Sequence, residues 1–271
     1  MQELTLEEKK KIAFQILVDL DALCAQYHLT YFLGYGSLIG AIRHQGFIPW
    51  DDDIDIWVPI ETYKQFLDLV KKETSYAVLD NTSDIGWSRS FAKVSDTRTV
   101  IYNEQKKSRT LSSYGVSVDI FPLFGIPETP NWSKKLLQNR DKVVYLQRYR
   151  LGLYQGASPA NLKKKLWAKL SLALGKDEKY YKSRILELEL SSRDTRCVGC
   201  VISVYRTKDI HARKDFSKTI DVIFEGHTFQ APIGYDRILR KLYGDYMQLP
   251  PPEKRVAHDS ERAFWIPDQQ V

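Results

Sequence analysis

The chain has 271 residues, 43% hydrophobic and 27% charged, with 14 Gly and 11 Pro, a balance that excludes collagen-like, low-complexity and disordered classes and suits one large domain or two small ones. No run of about 18 apolar residues is present, so no membrane-spanning helix is expected. Met1–Lys11 does not read as a signal peptide, and 3 Cys do not make a disulfide framework, so a reducing, cytoplasmic setting is expected. Charge is uneven: residues 1–130 hold 13 Lys and Arg against 18 Asp and Glu, and residues 131–271 hold 27 against 16. An acidic site early and a cationic surface late follow from that asymmetry.

In chain order, Thr5-Leu6-Glu7-Glu8 has the form of a capping box, and Ile12, Ala13, Ile16, Leu17, Leu20, Leu23, Cys24 and Tyr27 recur at three- and four-residue steps. An amphipathic helix of roughly 22 residues is predicted, with Cys24 in its core stripe. Tyr31-Phe32-Leu33 reads as a short strand, Gly34–Ser37 as a turn and Leu38–His44 as a short helix, an arrangement that offers free backbone N–H groups to an anion. Residues 48–58 read Ile-Pro-Trp-Asp-Asp-Asp-Ile-Asp-Ile-Trp-Val. From Asp53 they alternate as a strand, with Asp53, Asp55 and Trp57 on one face and Ile54, Ile56 and Val58 on the other. Asp is a poor strand former, and carboxylates this crowded repel unless a cation lies among them. Oxygen donors without nearby His or Cys suit Mg²⁺ or Mn²⁺. A third such carboxylate, Asp119, lies in the β-branched run Val116–Phe121, which Pro122 is expected to end.

Residues 134–184 carry 14 Lys and Arg against Asp141, Asp177 and Glu178, with apolar residues at helical spacing. Two or three helices broken near Gly156–Pro159 are predicted, and Lys163-Lys164-Lys165-Leu166-Trp167 has the look of a segment that lies on an anionic membrane, or of a solvated helical face. Cys197-Val-Gly-Cys200 has too few companions for zinc and reads as structural thiols beside a strand at 201–205. Residues 234–244 read as a helix stopped by Gly244.

Gly36-Ser37, Asp53-Ile54-Asp55 and Val118-Asp119-Ile120 together resemble the nucleotidyltransferase-fold signature. More narrowly, Gly36–His44 followed by Gly46–Asp55, then Asp119–Leu123 and Tyr243-Gly244-Asp245-Tyr246 with Pro251, Pro252 and His258, resemble the LicD family. The resemblance implies a mixed α/β (α+β) nucleotidyltransferase-like core over 1–130, a basic helical insert over 131–190 and a C-terminal part, 191–271, packing on the core. It further implies transfer of phosphocholine from CDP-choline to a sugar hydroxyl of lipopolysaccharide or teichoic acid, with fukutin-like relatives moving ribitol phosphate. The acceptor would be a lipid-linked precursor, and no nucleic-acid motif is present.

That chemistry assigns expected roles. Asp53, Asp55 and Asp119 would hold Mg²⁺ or Mn²⁺, with Asp119 also a candidate base and Asp51 and Asp52 in support. The Gly36–Ser37 turn would cradle phosphate, and Arg43, then Lys93 and Arg98, would clamp it. His258 would reach the site as acid, base or donor. Tyr35, Trp50, Trp57, Trp87, Tyr102 and Tyr114 are aromatic candidates for a quaternary ammonium. A nucleotidyltransferase using NTP and a non-catalytic binder of choline or anionic glycan stand as alternatives.

Overall fold

A computed structural model describes residues 1–80, 91–103, 114–128, 130–150, 158–190, 195–201, 203–255 and 261–267. Trp87 and His258 lie outside the described residues. The fold is mixed α/β, and the chain divides into two compact units: Met1–Asp80, Phe91–Leu123 and Arg213–Val271 in the first, Asn81–Ser90 and Phe124–Ala212 in the second.

The first unit opens with α1 (Leu6–Gln26), capped as the sequence predicts: Thr5 Oγ accepts from the Glu8 N–H while the Glu8 carboxylate accepts from the Thr5 N–H. Its apolar stripe, including Cys24, is buried. Then follow β1 (Phe32–Leu33), α2 (Tyr35–Ile39), a π-turn at Gly40–His44, β2 (Ile54–Pro59), α3 (Ile60–Glu73), β3 (Ala77–Leu79), β4 (Ala92–Ser95), β5 (Thr99–Asn103) and β6 (Ser117–Ile126). The sheet runs β1-β2-β6-β4-β3, with β2 and β6 parallel and the other pairs antiparallel. Ile54, Ile56, Trp57, Val58, Val118 and Ile120 are all fully buried. A central parallel pair covered on both faces has this continuous burial, so the alternation read from the sequence does not put Trp57 on an open face.

Two boundaries differ from the sequence reading. The segment read as a turn before a helix at Leu38 is already helical at Tyr35, and the helix widens into a π-turn at Gly40. Pro122 does not end β6, because the strand changes partner there: Ala92–Ser95 pair with Ser117–Ile120, and β7 (Cys197–Gly199) pairs with Phe124–Ile126. A proline is tolerated where a strand has no ladder bond to lose.

The second unit holds α4 (Pro130–Arg150), α5 (Pro159–Ala173) and α6 (Glu178–Leu190), the helices expected of the basic stretch. It also holds β7 and β8 (Ile210–Ala212). The strand near the cysteines falls on Cys197–Gly199 itself, while the described residues of 201–205 form a turn. The chain then returns to the first unit with β9 (Thr219–Phe224), β10 (His227–Pro232), α7 (Tyr235–Tyr243) and β11 (Glu261–Trp265). Gly244 terminates α7 at φ +73°, the positive value glycine adopts without strain.

The β9–β10 hairpin has no counterpart in the sequence reading, and it braces the π-turn. The Glu225 N–H donates to the Gln45 carbonyl at 2.8 Å, and the Glu225 carboxylate accepts from the Phe47 N–H at 2.9 Å. Glycine is required at Gly40, where a Cβ would overlap the Gly46 carbonyl oxygen and press on the Phe224 ring at 3.2 Å.

Candidate active site

The parallel pairing of β2 and β6 sets Asp55 beside Asp119, and the antiparallel pairing of β4 sets Lys93 on the other side of Asp119. Residues in register across neighbouring strands share a face, so two carboxylates and an ammonium lie in a row across the sheet. Asp53 lies just before β2, outside the strand expected of it, and its charge acts on Asp55. Asp51 closes over α2: a Cβ on Gly36 would come 2.7 Å from the Asp51 carboxylate. A side chain at residue 36 would therefore displace it.

The loop that carries these carboxylates is tied down from α1. Lys9 pairs with Asp52, and the Lys10 ammonium donates to the Pro49 carbonyl at 3.1 Å. From the other direction, the Asp55 N–H donates to Ser37 Oγ at 2.9 Å, and the Gly34 N–H donates to the Asp55 carbonyl at 2.8 Å. Ser37 is buried and joins α2 to β2. In this structure its hydroxyl serves the carboxylate strand.

Electrostatics single out the same residues. Burial, then the charges of Asp53, Asp119 and Asp51, push the Asp55 carboxyl well above the ordinary carboxylate range. Loss of hydration within the site, then the charges of Asp51 and Asp119, push Asp53 up to about 8. The Asp53 side chain still meets solvent, and its neighbours' negative charges repel it there. Asp51 is raised by burial and by Asp52. Lys93 is the cation that opposes the rise at both Asp53 and Asp55, and it is ion-paired with Asp119. Both members of that pair are buried, at 7% and 6% exposure. The group therefore holds more negative charge than its cations balance. Among the described residues no three His, Cys, Asp or Glu side chains converge tightly enough to hold an ion by themselves. The donors are adjacent, of one hard-oxygen type, and mutually repelling.

The other expected site residues fall into four positions. Arg43, on the π-turn, donates to His44 Nε2 at 2.9 Å and to the Tyr246 carbonyl, so it links the Gly-Ser helix to the segment after α7. Burial, then the Arg43 charge, push His44 below its ordinary pKa, which keeps the ring nitrogen an acceptor. Arg98 is held by Asp96 through 3.1 Å and 2.6 Å contacts and is not joined to the Asp53–Asp55–Asp119 group. Tyr35 and Trp57 require correction as ligand-facing aromatics. They are 4% and 0% exposed, Tyr35 packs on Trp57 and Phe121, and Trp57 also packs on Phe216, so both are core. Tyr114 is likewise buried, beneath the Lys93 ammonium. Trp50 keeps part of its surface, and the Arg255 guanidinium lies 5.7 Å from its ring centre. That ring face already attracts one cation.

Missing from the sequence reading were the direct pairing of Lys93 with Asp119, the anchoring of the acidic loop by α1, and the Arg43–Tyr246 link. The complementary charges of the Lys9-Lys10-Lys11 and Asp51-Asp52-Asp53 runs were the available signal for the second; the other two depend on register and chain return.

A carboxylate on one strand with another just before it, a third on the parallel neighbour and a glycine-serine helix against them define a site of the nucleotidyltransferase type. Comparison with known proteins agrees. The LicD/FKTN/FKRP nucleotidyltransferase-domain model matches residues 28–153. The chain is 32% identical to the lipopolysaccharide cholinephosphotransferase LicD of Haemophilus influenzae over 97% of its own length and 99% of that protein. An uncharacterized Rickettsia typhi protein is 34% identical over 28% of this chain and 26% of its own. The chain belongs to the LicD family, and it is a phosphotransferase.

Proposed function

We propose that this phosphotransferase moves phosphocholine from CDP-choline to a sugar hydroxyl of a lipopolysaccharide or teichoic acid precursor, assisted by Mg²⁺ or Mn²⁺. The observation that carries the proposal is the register of Asp55, Asp119 and Lys93 across three strands, in a chain that matches a lipopolysaccharide cholinephosphotransferase along nearly its whole length.

Asp53 and Asp55 would hold the cation, with Asp51 supporting it from above Gly36. Their raised pKa values are the mark of carboxylates short of positive charge, and a hard divalent ion supplies that charge. Such an ion neutralises the diphosphate and polarises the phosphorus under attack. Asp119, held in place by Lys93, is the group assigned to take the proton from the attacking hydroxyl. Lys93 therefore acts on Asp119 and not as the phosphate clamp first expected of it. Arg43 remains the cation assigned to the phosphates. Trp50, which retains part of its surface, is the aromatic assigned to the quaternary ammonium.

The donor and acceptor are tested together. The chain is incubated with Mg²⁺, a choline-free lipopolysaccharide and, separately, CDP-choline, CDP-ribitol or an NTP, while CMP, pyrophosphate and labelled acceptor are followed. CMP release with choline incorporation from CDP-choline is expected. Turnover of CDP-ribitol alone would replace the donor, and pyrophosphate release from NTP alone would overturn the reading.

A further inference from the structure

Helix α5 wears its large apolar residues on the outside. Leu162, Leu166 and Leu170, spaced by four, are 52%, 70% and 57% exposed, and Leu174 just past the helix end is 61% exposed. At about 100° per residue these leucines form one ridge. The inward side carries Ala168 and Ser171, both buried, with Ser171 donating to the Lys176 carbonyl, and Trp167, half-buried against Tyr145 and Tyr181. Lys163 and Lys169 flank the ridge on either side, and α5 contains Lys163, Lys164, Lys165 and Lys169 but no acidic residue. Beside it, a groove of about 480 Å³ between α4 and α5 is lined mainly by Lys142, Lys163, Lys164, Tyr145 and Trp167, with Asp141 the acid among them.

We propose that this face of α5 docks on an anionic bilayer surface, the leucine ridge entering the headgroup–acyl boundary and the flanking lysines meeting lipid phosphates. An apolar ridge bordered by cations is the pattern of an interfacial helix. A soluble anionic polymer has no use for the leucines. A second copy presenting the same face would set lysine against lysine, which repels. The groove beside the ridge adds cations and an aromatic wall. The proposal does not depend on the transfer chemistry, and its test involves no turnover.

The full chain is sedimented with vesicles of phosphatidylcholine alone or with about 30 mol% phosphatidylglycerol. Binding to the anionic vesicles at least about tenfold stronger than to the neutral ones, and weakened by salt, is expected. The variant L162Q/L166Q/L170Q should lower that binding at least about tenfold, with far-UV CD and Tm unchanged because the residues are exposed. K163Q/K169Q should lower binding and flatten its salt dependence. Absence of binding, or binding that the triple variant retains, would overturn the proposal. A concentration-dependent dimer abolished by the triple variant would overturn it too, assigning the ridge to a second copy.

Discussion

Asp55 shows at the scale of one residue how function is set against stability. It is crowded by Asp51, Asp53 and Asp119, and burial holds its carboxyl in the protonated direction. Asp55→Asn removes the charge and keeps the shape. In EDTA the variant should be more stable than wild type by on the order of 1 kcal/mol, raising Tm by a few degrees, while its transfer rate falls by at least about a hundredfold. A thermal melt beside a rate assay checks both signs, and a variant that lost stability would show that Asp55 is favourably paired. Lys93 behaves oppositely. Lys93→Ala leaves Asp119 buried without its ammonium, and breaking a buried pair by removing one partner destabilises by about 3–5 kcal/mol. Urea unfolding should show that loss, with part of it recovered in Mg²⁺. Asp55 and Asp119 were legible in the sequence because an Asp inside an aliphatic run contradicts its own strand preference. The Lys93 pairing was not, since it depends on a strand register linking residues 26 apart. Trp57 misled because alternation alone does not say that both sheet faces are covered.

Among the elements, the π-turn at Gly40–His44 is the one whose geometry is over-determined. Gly40 lies against the Gly46 carbonyl, and the β9–β10 hairpin holds Gln45 and Phe47. Gly40→Ala should force these apart and destabilise the fold by about 2–3 kcal/mol, as overpacking against backbone does. It should also displace Arg43 from Tyr246 and raise KM for the donor; unchanged stability and KM would mean that the turn simply relaxes. Glu225→Ala, which removes only the acceptor for Phe47, should be milder at about 1 kcal/mol. The sequence carries α1 and α7 plainly, through the Thr5 capping box, apolar periodicity and the Gly244 stop, whereas α3 was not read from it. It carries the hairpin poorly, because the turn is Glu225-Gly226, with φ +50° and +77°, in place of the more familiar Asn-Gly. It also hides the continuation of β6 through Pro122, since only the change of partner makes a proline harmless there.

For the whole molecule, the raised carboxyls couple folding to pH and, on the proposed metal site, would couple it to cation. Asp51, Asp53 and Asp55 titrate higher in the fold than in the unfolded chain, so between about pH 4 and 8 the folded state binds more protons. In that window their contribution to stability falls as pH rises, the reverse of a salt-bridged carboxylate. A divalent ion held by these carboxylates would restore what the rise in pH removes. The Tm difference between Mg²⁺ and EDTA should therefore widen from pH 5.5 to pH 7.5; a difference that stays constant would mean that the carboxylates do not bind the ion. The central claim is that Asp53, Asp55 and Asp119 form a metal-assisted transfer site, and its most direct test is CMP release from CDP-choline, as a function of Mg²⁺ concentration, for wild type and Asp55→Asn. The account predicts saturable Mg²⁺ dependence in the wild type and near-complete loss of release in a variant that still melts cooperatively. Release that persists in EDTA, or in Asp55→Asn, would contradict it.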